Sequence, residues 1–209
     1  MKIAVIAANG KIGQLITNEA VDNHFDVTAI VRNENHTHAP NVLKKDLFDL
    51  TAEDLQPFDV VIDAAGFWAP EDLIKHETSL VHLTTILKDT AVRLIIVGGA
   101  GSLYLDETRQ QRLMDLSVFP ESYKPLAQSM ANGLDFLRTV HDVEWLYVSP
   151  ADDFQAFGVK TGNFELAGDI LTTNEKGQSF ISYPDYALGI IELIKSPPST
   201  QQRVSLYTK

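Results

Sequence analysis

Three short stretches hold the residue types and spacing that could do chemistry on a phosphorylated ligand. The first is Ala7-Ala8-Asn9-Gly10-Lys11-Ile12-Gly13, directly after the apolar run Lys2–Ile6. Small residues there let a backbone approach a phosphate closely, and a helix starting there offers unpaired N–H groups and partial positive charge. A dinucleotide fingerprint wants glycine at the first position of such a turn, and Ala7 stands in its place. The second stretch is Val31-Arg32-Asn33, which closes the next apolar run. That position commonly carries an acid that accepts hydrogen bonds from a ribose 2′-hydroxyl. An arginine suits a 2′-phosphate instead, because its planar fork gives charge-assisted, bidentate bonds. Lys11 could reach the same phosphate, so the chemistry favours NADP over NAD as cofactor. The third stretch is Gly98-Gly99-Ala100-Gly101-Ser102, again the exit of an apolar run.

The elements that must position these residues alternate. Strands are expected at Lys2–Ile6, Val27–Arg32, Val42–Lys44, Asp59–Asp63, Arg93–Val97 and Val143–Val148. Between them, a helix runs from Lys11 to about His24. Leu73, Leu80 and Leu87 mark a second helical face, and Leu126, Met130, Leu134 and Leu137 a third. Strand and helix signals in alternation define an α/β fold, a Rossmann-like doubly wound parallel sheet with helices on both faces. Four strands exit on small residues: Ala7-Ala8, Ala64-Ala65-Gly66, the Gly98–Ser102 run and Ser149-Pro150. Such exits gather at one edge of a doubly wound sheet, where ligands bind, and four of them are hard to explain as packing alone.

The whole chain, 1–209, reads as one NAD(P)-binding domain in which 151–185 forms a substrate-side subregion. There, Gly158, Gly162, Gly168 and Gly177 break up short apolar segments, which suggests hairpins or irregular structure. A last helical stripe, Tyr186, Ile190, Leu193 and Ile194, precedes an alternating terminal strand at Arg203–Tyr207. Asp106–Pro120, rich in charge and poorly periodic, reads as a mobile loop over a site.

Composition excludes several roles. The formal net charge is −11, which repels a polyphosphate backbone, so nucleic acid is not an expected partner. It repels free dinucleotides too, so a cofactor site must concentrate its own cations. No run is long and apolar enough to expect a membrane span, and no leader pattern opens the chain; a cytoplasmic location is expected. There is no cysteine, which excludes disulfides and thiolate chemistry. His36 and His38 lack a nearby third ligand, and no metal site is expected.

Ala8–Gly13, Val31-Arg32-Asn33, Lys45–Asp49 and Val97–Ser102 together resemble the atypical short-chain dehydrogenase/reductases. Within them the chain is most similar to the bacterial NADH–flavin reductases, kin of the NmrA-like proteins and of biliverdin reductase B. Gly162-Asn163-Phe164, Gly168-Asp169 and Ile181–Ala187 look like that group's C-terminal pattern. The resemblance implies that Asp46 and Leu47 flank the adenine and that Ala64, Ala65 and Gly66 pack along the cofactor. It implies that Gly98, Gly99, Ala100 and Ser102 lie near the nicotinamide and that Pro150 closes over it. The Tyr-x-x-x-Lys pair of the standard dehydrogenases is missing: four residues after Tyr123 stands Ala127.

Ketone reduction needs a proton donor to the developing alkoxide, so a chain without that pair is poorly equipped for it. A flavin or quinone asks less, because its ring delocalises the incoming charge and the protein mainly stacks two flat groups. Trp68, Tyr104, Phe119, Tyr123, Phe154 and Phe157 fall in the loops expected around the cleft, and two of the six are expected to contact substrate, with Trp68 and Phe154 the choice. Ser102 or Tyr123 could hydrogen-bond a substrate carbonyl. The reading is hydride transfer from NADPH to a flavin, quinone or similar conjugated acceptor by a monomer or homodimer. The alternative is a non-catalytic, NADP-binding redox sensor of the NmrA type.

Overall fold

The computed structural model describes residues 1–209. Five parallel strands form its centre: β1 (Lys2–Ile6), β2 (Asp26–Val31), β3 (Asn41–Lys44), β4 (Val60–Asp63) and β5 (Arg93–Val97). They continue through β6 (Glu144–Pro150) and β10 (Gln202–Thr208), and the sheet order is β3-β2-β1-β4-β5-β6-β10-β8. All neighbours are parallel except the edge strand β8 (Phe164–Ala167), which runs antiparallel to β10. A parallel sheet needs cover on both faces, which is why β1, β4 and β6 read as unbroken apolar runs and are buried almost throughout.

Helices α1 (Lys11–Asp22) and α5 (Tyr183–Lys195) cover one face over a core that includes Ile3, Val5, Ile16, Ile62, Tyr186 and Ile190. Helices α3 (Lys75–Leu87) and α4 (Lys124–Leu137) cover the other, over Ile6, Leu83, Leu94, Ile96, Trp145 and Tyr147. The one-turn helix α2 (Ala52–Leu55) is closed by a reciprocal Thr51–Asp54 capping box. Strand order reverses between β1 and β4, and that switch point opens a crevice at the carboxyl ends of the strands. No helix is long and apolar enough to cross a membrane.

The expected parallel sheet and helix faces are present, with ends shifted by a residue or two. Leu73 precedes α3 rather than belonging to it, and α1 stops at Asp22 because His24 turns left-handed at φ 62°. Two expectations need correction. Of the hairpins or irregular structure expected in 151–185, the irregular stretches are present but no strand hairpin is: β7 (Asp153–Gln155) and β9 (Phe180–Ser182) pair in parallel, and β8 joins the main sheet. Sequence distance hid those partners. The Asp106–Pro120 segment is tied down rather than free. Leu113 and Met114 are buried, and their N–H groups donate to Leu103 O at 2.8 Å and Gly101 O at 2.9 Å. Two apolar anchors within a charged stretch were too few to register as a period.

Candidate cofactor and active site

The glycine turn keeps the geometry its sequence departs from. Ala7 adopts φ 56°, the left-handed region in which glycine is at ease, and its carbonyl accepts the Gly10 N–H at 2.9 Å. A Cβ on Gly13 would run into that same Ala7 carbonyl oxygen, so the start of α1 lies directly on the turn. Gly10 begins the helix without a capping side chain, and no acid occupies the first turn. The N–H groups of that turn have no capping side chain and no acid in the turn beside them, an arrangement that fits a pyrophosphate. Alanine in a left-handed conformation costs about 1 kcal/mol relative to glycine. Ala7→Gly should accordingly raise unfolding stability by about that amount in urea titrations; an unchanged midpoint would mean the turn is not strained.

Asn9 straps this turn to the segment that follows β2. Its Nδ2 donates to Glu34 O at 2.7 Å, and its Oδ1 accepts the His36 N–H at 2.9 Å. The sequence placed Asn9 among the cofactor contacts; the structure gives it the task of setting the path of the chain just beyond Arg32. Arg32 and Lys11 are exposed, and neither enters an ion pair. Lys11 Nζ lies 5.4 Å from the centre of the Phe157 ring. Both cations stand unpaired in a chain of net charge −11.

The other predicted contacts follow the strand ends. Asp46 caps a short turn by accepting the Phe48 N–H at 3.0 Å, and Leu47 is buried beneath it. Ala64, Ala65 and Gly66 leave β4, and the Trp68 indole folds back over Gly66. Pro150 is buried at the end of β6, where Ser149 Oγ donates to Gly99 O at 2.9 Å. Ile12 is half-buried against the core. The small residues after β5 have a packing cause that their sequence did not reveal. A Cβ on Gly98 would enter the Tyr147 ring, one on Gly99 would meet Met130 Sδ at 2.9 Å, and one on Gly101 would meet Ala127 Cβ at 2.6 Å. This exit is small because α4 and β6 crowd it.

The candidate catalytic and substrate residues separate. Ser102 is buried and its oxygen accepts from Arg203 Nη1 at 2.9 Å, which leaves it one O–H to donate. Arg203 is held in turn by Asp169, so Ser102 is part of a clamp between β10 and the loop after β5. Tyr123 is 54% exposed just before α4, with no hydrogen-bond partner for its hydroxyl. Of the six aromatics, Tyr104 has the guanidiniums of Arg109 and Arg203 5.9 and 5.7 Å from its ring centre, Phe119 packs on the Met114–Ala127 cluster, and the Phe154 ring lies tilted 4.0 Å from that of Tyr183 and 4.9 Å from that of Tyr186. Trp68 (69% exposed), Tyr123 and Phe157 (92% exposed) remain open to a ligand.

Two buried aspartates escaped the sequence reading. Asp63 ends β4, and burial pushes its carboxyl up to about 6 although the Ala65 N–H, 3.0 Å from Oδ1, works the other way. Asp185, in the first turn of α5, has the opposite balance. Burial works to raise its carboxyl, but bonds from Thr161 Oγ1 (2.6 Å), Thr161 N–H (2.8 Å) and Gly162 N–H (2.8 Å) hold it below the ordinary range. An acid closing an apolar run was the available signal for Asp63. For Asp185 it was the Ser-x-x-Asp cap spacing from Ser182.

A strand–turn–helix with an open, uncapped helix start at the switch point of a doubly wound sheet is a nucleotide-binding arrangement. The chain belongs to the NAD(P)H-binding family, whose model matches residues 7–197. It is 40% identical to the uncharacterized protein YwnB of Bacillus subtilis over 212 residues, covering all of this chain and 99% of that one. Its structure is similar to that of a "putative NADH-flavin reductase" from Streptococcus pneumoniae, with 51% identity, both chains fully covered and a TM-score of 0.98. A Lactobacillus casei protein is similar at 28% identity and a TM-score of 0.88, over 100% of this chain and 99% of that one. The Rossmann-like fold and the nicotinamide cofactor class expected from the sequence therefore stand; which of NAD and NADP is bound is a finer matter.

Proposed function

We propose that this chain is an NAD(P)H-dependent oxidoreductase that passes a hydride from NADPH, in preference to NADH, to a flavin, quinone or similar conjugated acceptor. The observation that carries this reading is the pairing of an uncapped helix start at Gly10 with two exposed, unpaired cations, Lys11 and Arg32. The first suits a pyrophosphate and the second a 2′-phosphate. The similarity to the Streptococcus pneumoniae protein adds weight for the acceptor class.

The reduced cofactor supplies a hydride, that is, two electrons and a proton together; the acceptor takes one further proton from solvent. The chain's own residues hold, orient and shield. The first-turn N–H groups of α1 hold the pyrophosphate, and Arg32 with Lys11 holds the 2′-phosphate. The small exits after β4 and β5 place backbone rather than long side chains at the sheet edge, where a flat ring would lie, and those after β5 also fit beneath α4 and β6. Trp68, Tyr123 and Phe157 offer apolar faces for a second ring. Neither Ser102, whose oxygen is engaged by Arg203, nor the solvent-exposed Tyr123 is placed as an activated acid, which suits an acceptor that needs none.

Calorimetric titration with NADPH and NADH, followed by NADPH oxidation in the presence of FMN, riboflavin and simple quinones, tests the reading. Arg32→Ala should weaken NADPH about tenfold and leave NADH unchanged. Equal loss for both cofactors would overturn the role of Arg32. Tight NADPH binding with no oxidation by any acceptor would favour the redox-sensor alternative.

A further inference from the structure

The exits of β4 and β5 share a buried polar unit that the hydride reading leaves unused. On one side is Asp63, 4% exposed, whose Oδ1 accepts the Ala65 N–H. On the other is Tyr147 of β6, 2% exposed, whose hydroxyl oxygen accepts the Gly99 N–H at 3.2 Å. Between them lies a cavity of about 10 Å³, room for one water, lined among others by Asp63, His76, Ser79, Ile96, Met130 and Tyr147. The Tyr147 hydroxyl donates to no acceptor in the protein, and the residue lines this cavity. Two N–H groups at the exits of β4 and β5 thus end on one buried acid and one buried phenol, and the two side chains line the same small cavity.

No cation faces Asp63. From α3 comes His76, whose Nε2 is 3.0 Å from Phe67 O and which burial keeps toward its neutral form. From β6 comes Tyr147, which burial holds protonated despite the influence of Arg203 and Arg138. From β5 and α4 come only Ile96, Val97 and Met130. An ionised Asp63 is therefore an uncompensated negative charge in a low-dielectric setting, where its field reaches far.

We propose that Asp63 is a charge-setting and positioning residue of the cofactor site, whose carboxylate favours the oxidised, cationic nicotinamide over the reduced, neutral one. This rests on the cofactor reading above. The nicotinamide ring gains a positive charge when the hydride leaves with its electron pair for the acceptor. Asp63 neither gains nor loses an atom in that step; it lowers the free energy of the side on which the cation forms. By reciprocity, the oxidised cofactor holds Asp63 ionised to lower pH than the reduced cofactor does.

The test is the ratio of NADPH to NADP⁺ dissociation constants, measured by calorimetry from pH 5 to pH 8 in wild type and Asp63→Asn. Ionisation of the cofactor's own phosphates is common to both redox forms and cancels in the ratio. NADP⁺ should gain on NADPH by about fivefold as pH rises in wild type, a coupling of ordinary size between two groups. In Asp63→Asn the ratio should be flat. A flat ratio in wild type, or the same slope in both proteins, overturns the proposal. Failure of wild type to bind either cofactor overturns the cofactor reading itself and this inference with it. Should Asp63→Asn not fold, Tyr147→Phe serves. Loss of the hydroxyl should move the midpoint of the wild-type change to higher pH, and an unmoved midpoint overturns the link across the cavity.

Discussion

Asp185→Ala will lower stability by about 3 kcal/mol at neutral pH, the loss expected when a buried carboxylate that accepts several hydrogen bonds is removed. Asp185 is 1% exposed and receives the Thr161 and Gly162 N–H groups and the Thr161 hydroxyl, while its own N–H donates to Ser182 Oγ at 3.1 Å. It closes the start of α5 and fastens the 151–185 subregion to that helix. Because its folded carboxyl is held low, the stabilisation is present above the unfolded value of about 4. It is lost as pH falls through the folded one. Urea titrations should find the deficit of the variant full at pH 7 and shrinking below about pH 4. A deficit under about 1 kcal/mol at pH 7 would mean that water replaces the carboxylate at Thr161 and Gly162.

Asp63→Asn should do the reverse and stabilise the protein. Lifting a buried carboxyl from its ordinary 3.8 to about 6 costs the ionised folded state about 3 kcal/mol. Folding favours the protonated form, so stability falls as pH rises from 3.8 to about 6, and above that the whole cost is present. Asparagine keeps an oxygen for the Ala65 N–H and carries no charge. A gain of about 2 kcal/mol, or about 5 °C in melting temperature, is expected at pH 7.5, with little gain at pH 4. Melting curves at the two pH values decide it, and a gain independent of pH would place its origin outside the ionisation of Asp63. An acid that costs stability where β4 ends fits the functional role proposed for it.

The frame of this protein was legible from its sequence because its signals are local. The short apolar run Lys2–Ile6, bounded by small residues, reads as a buried strand, and Ala7–Gly13 after it reads as a tight turn into a helix. Arg32 at the end of β2 is likewise a statement about one position in a known frame. The left-handed φ of Ala7 was not legible, since alanine gives no hint of it; the contact between Ala7 O and the first turn of α1 imposes it.

What tertiary structure alone decided was which side chains are free. Of six aromatics in the expected loops, Trp68 and Phe154 were the expected substrate contacts; Tyr104, Phe119 and Phe154 pack against other side chains, while Trp68, Tyr123 and Phe157 stand exposed. Ser102 looked available until Arg203, 101 residues away, took its oxygen. The glycines after β5 looked like ligand clearance, and Tyr147, Met130 and Ala127 explain them as crowding. Asp63 and Asp185 are the same residue type, yet one lies beside a cavity without a cation and the other among three donors, which shifts their carboxyls in opposite directions. Periodicity along a chain records which face an element buries. Partners far apart in sequence decide what each polar group meets there, and that determines which of them can act.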